Sequence, residues 1–288
     1  VTTGVPTEPR LQPDHALAKI AEKTGRPQAL LARFVEAIEA RGQAVLVGPA
    51  GAGKTYLAFE LARHLVGGGD GFFDVLQLHA SYTYEDFVQG HKPVLRPDGS
   101  TTWPLSRGRF LRFCDDARKR RGRCVLVLDE LQRADVGRVF GELLYLLERR
   151  GEPMWLARGE APVEIPANVR IVATMPSVGP RPRFDDDVLR RRFAFLPVPP
   201  EPEVLRRFHA RTGFAVEGLL RALARVDEQL GPPMQRLGTS YFLREDLARV
   251  IEDVWRFEVE PVLEERLEDR PEALAALRWD AVRGYFDR

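Results

Sequence analysis

The sequence predicts an α/β domain built on a doubly wound parallel sheet, followed by a small all-helical domain. Three observations predict it. An apolar run, Ala44-Val45-Leu46-Val47, leads through a glycine-rich loop into a helical pattern that begins at Tyr56. Two more apolar runs, residues 124–128 and 169–173, have the near-continuous hydrophobicity of strands covered on both faces. Beyond the proline-rich stretch Pro197-Val198-Pro199-Pro200-Glu201-Pro202, only helical periodicity remains. Strands alternating with helices imply the doubly wound sheet.

Taken in order, residues 15–40 read as helices broken at Gly25-Arg26-Pro27, with Leu30, Leu31, Phe34, Val35 and Ile38 on one face. The residues before them, through about Pro13, mix Thr, Gly and Pro and read as a loose arm. The helix after the glycine-rich loop ends at Gly67-Gly68-Gly69-Asp70-Gly71. Residues 75–79 read as a second strand and 108–118 as a second helix. Residues 123–130 form a buried strand ending in two acids, Asp129 and Glu130. A helix over 137–149, a hairpin over 154–165 and a strand over 169–175 follow. After the linker, helices are expected over 203–211, 216–230, 244–258 and 261–277. The division is an arm and helices over 1–40, the α/β domain over 41–198 and the helical domain over 199–288.

Composition narrows the function classes. The formal net charge is +1, from 43 basic and 42 acidic residues, which argues against a globally basic nucleic-acid binder. Arg118-Lys119-Arg120-Arg121 and Arg190-Arg191-Arg192 remain as local basic candidates, and the ordinary reading of such runs is a solvated helix face or loop. The two cysteines, Cys114 and Cys124, lie in apolar surroundings and read as buried free thiols in a reducing, cytoplasmic compartment. No zinc spacing, membrane-spanning run or signal-peptide pattern is present, so no membrane partner is expected. A first residue Val1 in place of Met fits a chain processed or excised from something longer.

The chemistry sits in the loop Gly48-Pro49-Ala50-Gly51-Ala52-Gly53-Lys54-Thr55. A strand, a glycine-rich loop and a helix are the context of a phosphate-binding P-loop. Glycines let the backbone wrap a polyphosphate, and amide N–H groups with the helix N-terminus face its oxygens. Lys54 is expected on the β- and γ-phosphates, Thr55 on Mg²⁺, and Tyr56 beside the nucleotide. Asp129, at the carboxyl end of a buried strand, is expected to hold the metal, directly or through water. Glu130 is expected to orient and partly deprotonate an attacking water. The Asn-Lys-x-Asp string that reads guanine is absent, so GTP and ATP both stay open.

Further strings narrow the family. They are Ser81-Tyr82-Thr83-Tyr84-Glu85-Asp86-Phe87, Gly108-Arg109-Phe110-Leu111-Arg112-Phe113-Cys114, and Leu128-Asp129-Glu130-Leu131-Gln132-Arg133 leading into Phe140-Gly141-Glu142. Val188-Leu189-Arg190-Arg191-Arg192-Phe193 and Leu237-Gly238-Thr239-Ser240-Tyr241-Phe242 complete them. On these the chain, from about Gln43 to Leu277, resembles the AAA+ motor subunit of McrBC-type modification-dependent restriction systems, the McrB GTPase family. The resemblance implies an AAA+ P-loop NTPase domain with a helical lid. It also implies a homo-oligomeric ring, a hexamer, with nucleotide bound between subunits. Arg190 and Arg191 would then reach the neighbour's γ-phosphate, where a guanidinium stabilises developing charge. A McrC-like nuclease subunit is the implied partner, and DNA is met through that partner or a missing domain.

The chain departs from the family after the 169–175 strand. There the family carries Met-Asn-Thr-Ala-Asp, and here the string is Met175-Pro176-Ser177-Val178-Gly179. The asparagine is the family's water-positioning sensor, whereas Pro176 has neither a side-chain amide nor an N–H. The nearest acids are Asp185, Asp186 and Asp187, and Gln132 replaces the usual asparagine after the acidic pair. Fewer than fifty residues precede the P-loop, and no base-reading motif appears. Weak GTP hydrolysis, ATP hydrolysis and a nucleotide switch with little turnover are the three readings. The alternatives in function are a MoxR-like ATPase chaperone that remodels a protein partner, and a nucleotide-gated scaffold. The Ser-Tyr-Thr-Tyr-Glu-Asp-Phe string has no evident chemistry and either packs or shapes an insert.

Overall fold

The computed structural model describes residues 10–159, 161–178 and 189–286. Five parallel strands form the central sheet: β1 (Gln43–Gly48), β2 (Phe73–Gln77), β3 (Cys124–Asp129), β4 (Val169–Pro176) and β5 (Ala194–Pro197). Their order is β2-β3-β4-β1-β5, with every neighbouring pair parallel. The three inner strands are buried almost throughout because helices cover both faces. On one face Leu57, Leu61 and Leu65 of the helix Lys54–Val66 pack with Leu31, Phe34 and Ile38 of the helix Gln28–Arg41. On the other, Phe110, Phe113 and Cys114 of the helix Arg109–Ala117 pack with Phe87 and Phe140. The expected doubly wound α/β architecture is therefore present, and the helical region behind it has its own core around Trp255, Phe242 and Leu219.

Several element bounds differ from the sequence expectation, each for a local reason. The helix expected over 137–149 is two, Val136–Phe140 and Leu143–Glu148. Gly141 between them has φ 49°, and a Cβ there would come within 2.8 Å of the Tyr84 ring. The helices expected over 244–258 and 261–277 are instead joined: Leu247–Val254 runs through one wider, π-helical turn, Trp255–Val259, into Glu260–Arg266. Pro261 has no N–H to give and its ring crowds the carbonyl four residues back, which a wider turn relieves. After Leu267 only short turns of helix follow, beginning with Pro271–Ala275. The hairpin expected over 154–165 reduces to a single bridge, Met154 to Val163.

Two features had no counterpart in the expectation. Strand β5 follows the arginine cluster and pairs with β1. An insert over 89–107 folds as two short antiparallel ladders, Gln89–His91 with Leu105–Arg107 and Val94–Leu95 with Thr101–Thr102. Its turn signal, Pro97-Asp98-Gly99, is in the sequence, and Gly99 takes the left-handed conformation at φ 81°. The Ser81–Phe87 string sits at the base of this insert. Thr83 caps the short helix Tyr84–Phe87 by accepting the Asp86 N–H, and the Phe87 ring packs on Phe110 and Phe140. The string thus packs through Phe87 and also leads directly into the insert.

The expected loose arm is tied down where it is described, because Gln12 exchanges backbone hydrogen bonds with Gly68 and Gly69. Residues 1–9 lie outside the described residues, as do Gly179, Asp185, Asp186, Asp187 and Val188. The run 118–121 is no free basic patch: Arg118 pairs with Asp115, Lys119 with Asp116, and Arg120 lies over Phe72. Both cysteines are buried free thiols, and burial pushes the Cys114 thiol up to about 12 and Cys124 to about 11. No helix among the described residues is long and apolar enough to cross a membrane.

Candidate active site

Strand β1 delivers the glycine-rich loop to the carboxyl edge of the sheet, where ligands of open α/β sheets bind. Gly48, at its end, lies so close to the Val198 carbonyl that any Cβ would overlap it. Gly51 and Gly53 take left-handed conformations, at φ 74° and 81°, which side chains disfavour. Nothing stands within 4 Å of where a Gly53 Cβ would lie, so the loop opens onto space there. Gly53 also begins the helix Lys54–Val66, whose unsatisfied N–H groups and dipole favour an anion at that point.

Lys54 is buried, with its ammonium donating to the Pro49 carbonyl at 3.0 Å. Burial lowers its pKa from the ordinary lysine value, and the Glu130 and Asp129 carboxylates push the other way. The Thr55 hydroxyl donates to Asp129 Oδ1 at 2.7 Å. Thr174, a fully buried residue of β4, donates to the same oxygen at 2.7 Å and accepts the Glu130 N–H at 3.0 Å. The structure thus brings Lys54, Thr55, Asp129 and Glu130 together, and adds Thr174. Sequence reasoning passed over Thr174; a lone hydroxyl near the carboxyl end of a strand whose other polar residue is Arg170 was the available signal.

Glu130 is the one described non-glycine residue with positive φ, 57°. That conformation costs on the order of 1–2 kcal/mol and is held here by the Thr174 hydroxyl below it. Its Oε2 accepts from Gln132 Nε2 at 2.6 Å and Arg133 Nε at 3.2 Å.

Pro176 lies in register with Gly48. Ser177 donates its N–H to the Gly48 carbonyl at 3.0 Å, and its hydroxyl to the Met234 carbonyl. The segment that lacks the family's amide therefore ties the loop strand to the helical region.

Arg26 was also missed. It is buried and donates to the carbonyls of Pro199 at 2.7 Å and Ala52 at 3.4 Å, and it pairs with Glu201 at 3.3 Å. Burial lowers its pKa from the ordinary arginine value, against the pull of Glu201. From the helical region, the Ser240 N–H donates to the Gly51 carbonyl at 3.1 Å. A cavity of about 1010 Å³ opens between the loop, the N-terminal helices and the helical region, walled by Arg26, Gly51, Tyr56, Glu201, Phe208 and Ser240. Tyr56 is 46% exposed there. Pro49, Ala50 and Ala52 line the loop as the sequence places them, with the Ala50 carbonyl turned toward Gly238.

The arginine cluster divides. Arg192 donates to the Leu144 carbonyl at 2.7 Å and pairs with Glu148 at 3.0 Å, within its own chain. Arg190 is exposed with its guanidinium 5.9 Å from the Phe195 ring centre. Arg191 is exposed and makes no ion pair among the described residues.

A family model, AAA domain (dynein-related subfamily), matches residues 43–193. The chain is also similar to the Type IV methyl-directed restriction enzyme EcoKMcrB subunit of Escherichia coli (strain K12), at 28% identity over 272 residues. That match takes in 85% of this chain and 58% of the relative, so the chain spans little more than half of its length. The resemblance carried by the sequence strings is borne out. With the loop, the acidic strand end and the sheet order all in place, the chain belongs to the AAA domain family, dynein-related subfamily, and is similar to the McrB subunit over most of its length.

Proposed function

We propose that the chain is a nucleoside triphosphatase that hydrolyses GTP or ATP with Mg²⁺ in a ring of identical subunits, as the motor of a McrB-like restriction system. The observation that carries this reading is the convergence of Lys54, Thr55, Asp129 and Glu130 at one strand edge, with Thr55 and Asp129 in direct contact. The proposed division is 1–40, 41–198 and 199–288; the separate core of the helical region supports the boundary near 198, whereas Ile20, Leu31, Phe34 and Ile38 share a core with the sheet.

The residues fit a magnesium nucleotide. Among the described residues no group of three His, Cys, Asp or Glu could hold a metal alone. Mg²⁺ beside phosphates needs only one or two protein oxygens, and Thr55 with Asp129 supplies them. When bound, the ion neutralises charge on the phosphate oxygens. The amides of 51–54 cradle the phosphates, and Lys54 trades the Pro49 carbonyl for a phosphate oxygen. Base and ribose occupy the cavity beside Tyr56. Glu130 takes a proton from the attacking water, and Arg191 with Arg190 acts on the neighbour's γ-phosphate. The name of the E. coli relative, a restriction-enzyme subunit, supports a restriction setting; a McrC-like nuclease as partner, a cytoplasmic location, and DNA met through that partner or a further domain complete the reading. A hexamer is the ring size the family suggests.

Pro176 favours a second reading, a MoxR-like ATPase acting on a protein client, because the amide tied to GTP turnover is gone. Phosphate release with Mg²⁺ and GTP or ATP, beside Glu130→Gln, separates the two. GTP-selective, Glu130-dependent release supports the motor; ATP-selective release moves the weight to the chaperone; binding without release leaves a nucleotide-gated scaffold.

A further inference from the structure

The attacking water carries two protons and must turn a lone pair toward phosphorus. A single acceptor leaves it free to rotate, so a second is needed. The end of β4 offers none from its side chain, because Pro176 stands there. Gln132 stands elsewhere in the site. Its amide nitrogen is fixed on Glu130 Oε2 at 2.6 Å. Its amide oxygen, Oε1, is buried and accepts no hydrogen bond.

Buried acceptors are nearly always satisfied by protein or by an ordered water. The two polar atoms of a planar amide lie about 2.2 Å apart, so Oε1 is no more than about 5 Å from Glu130 Oε2. A water with hydrogen bonds of about 2.8 Å on each side spans up to about 5.6 Å, which reaches Glu130 Oε1, about 2.2 Å from Oε2, when the carboxylate turns that oxygen toward the amide. Gln132 and Arg133 both hold Oε2, which leaves Oε1 of Glu130 for a proton.

Resting on the hydrolase reading above, we propose that Gln132 positions the attacking water, in the role the chain lost at Pro176. Gln132 Oε1 accepts one O–H of the water, and the Glu130 carboxylate accepts the other. The water oxygen bonds to the γ-phosphorus as the bond to the β–γ bridging oxygen breaks. That electron pair leaves on the nucleoside diphosphate. The proton passes to Glu130 and then to the released phosphate, which restores the carboxylate. Gln132 neither gains nor loses a proton.

The test is single-turnover phosphate release by the full chain with Mg²⁺ and GTP or ATP. Fluorescent-nucleotide binding and thermal melting are measured on the same samples. Gln132→Leu should slow release by about 100-fold, as the loss of one positioned hydrogen-bonding group does. It should leave nucleotide affinity within about twofold. Its melting should stay close to that of wild type, because removing the orphaned acceptor offsets the lost Nε2 hydrogen bond to Glu130, whose Oε2 Arg133 still holds. Pro176→Asn in the Gln132→Leu background should regain at least tenfold. Release by Gln132→Leu at the wild-type rate overturns the proposal, and so does slow release matched by lost affinity or lower melting. A double variant no faster than Gln132→Leu counts against it as well. If wild type itself shows no Lys54-dependent release, the hydrolase reading fails first and takes this inference with it.

Discussion

At the scale of single residues, the site is organised by one buried hydroxyl. Thr174 donates to Asp129 and accepts from the Glu130 N–H, so it fixes the Asp129 carboxylate and the left-handed backbone of Glu130, the proposed base, together. Thr174→Val keeps the shape and removes both bonds. A buried N–H left without a partner costs about 1–3 kcal/mol, so melting should fall and turnover should fall with it. Phosphate release and a melting curve check this, and a variant that keeps both unchanged would show the hydroxyl to be idle. Lys54 has a sharper expectation. Its ammonium is poised on a carbonyl of its own loop, so Lys54→Ala should weaken nucleotide affinity by about 100-fold with little change in folding. A titration with fluorescent nucleotide reads the first, and unchanged affinity would remove Lys54 from the phosphate site.

At the scale of elements, the helical region touches the loop through backbone. Gly238 passes so near the Ala50 carbonyl and Gly51 that a Cβ would overlap both. Gly238→Ala should therefore push the helical region off the loop and break the Ser240-to-Gly51 hydrogen bond. Weakened nucleotide binding, with the far-ultraviolet circular dichroism of the wild type, is the expected result. A second element carries a pH dependence. Asp227, on the helix Val216–Leu230, is 3.5 Å from Arg236, yet burial outweighs that charge and the Leu237 N–H and raises its carboxyl to about 6. The folded state thus keeps a proton that the unfolded chain releases near pH 4. Its contribution to stability is complete below about pH 4 and is lost as pH rises through 6. Asp227→Asn should raise stability at pH 8, by about 1 kcal/mol after allowance for its partial exposure, and change it little at pH 3.5. Equal shifts at both values would contradict the sign.

Legibility also divides by element. Strand β1, the loop and β3 were readable because a buried parallel strand and a phosphate loop constrain sequence locally. Strand β5 was not, because four residues, Ala194–Pro197, with only Leu196 well buried, leave no periodicity. The partners of Glu130 were half readable: its place follows from Asp129, but Thr174 reaches it from 44 positions away, across the sheet. Arg26 was unreadable for the same reason, since its partners Ala52, Pro199 and Glu201 meet only in the fold.

At the scale of the whole molecule, the chain gathers Glu130, the Thr55–Asp129 pair and the glycine-rich loop at one edge of the sheet, the proposed base, metal pair and phosphate site. Its arginine cluster splits: Arg192 is used within the chain, Arg190 lies over Phe195, and Arg191 is exposed. Arg192 is held on Leu144 and Glu148, and losing it should damage folding rather than chemistry. Arg191 is exposed with no ion pair among the described residues, so its loss should leave folding intact. If subunits complete one another's sites, Arg191→Ala should bind nucleotide with wild-type affinity and release phosphate at least 100-fold more slowly, the scale of a lost transition-state guanidinium. Mixing then gives a result no single-subunit enzyme produces. Arg191→Ala contributes an intact loop with Glu130, and Lys54→Ala contributes an intact arginine. Neither variant hydrolyses alone, but a mixed ring contains junctions with both parts sound, and release should reappear at about a quarter of the wild-type rate at equal mixing, because one junction in four pairs a sound loop with a sound arginine. Each chain working by itself would leave the mixture as inactive as its components. Dilution separates the cases further: recovered activity should fall with protein concentration as the ring dissociates.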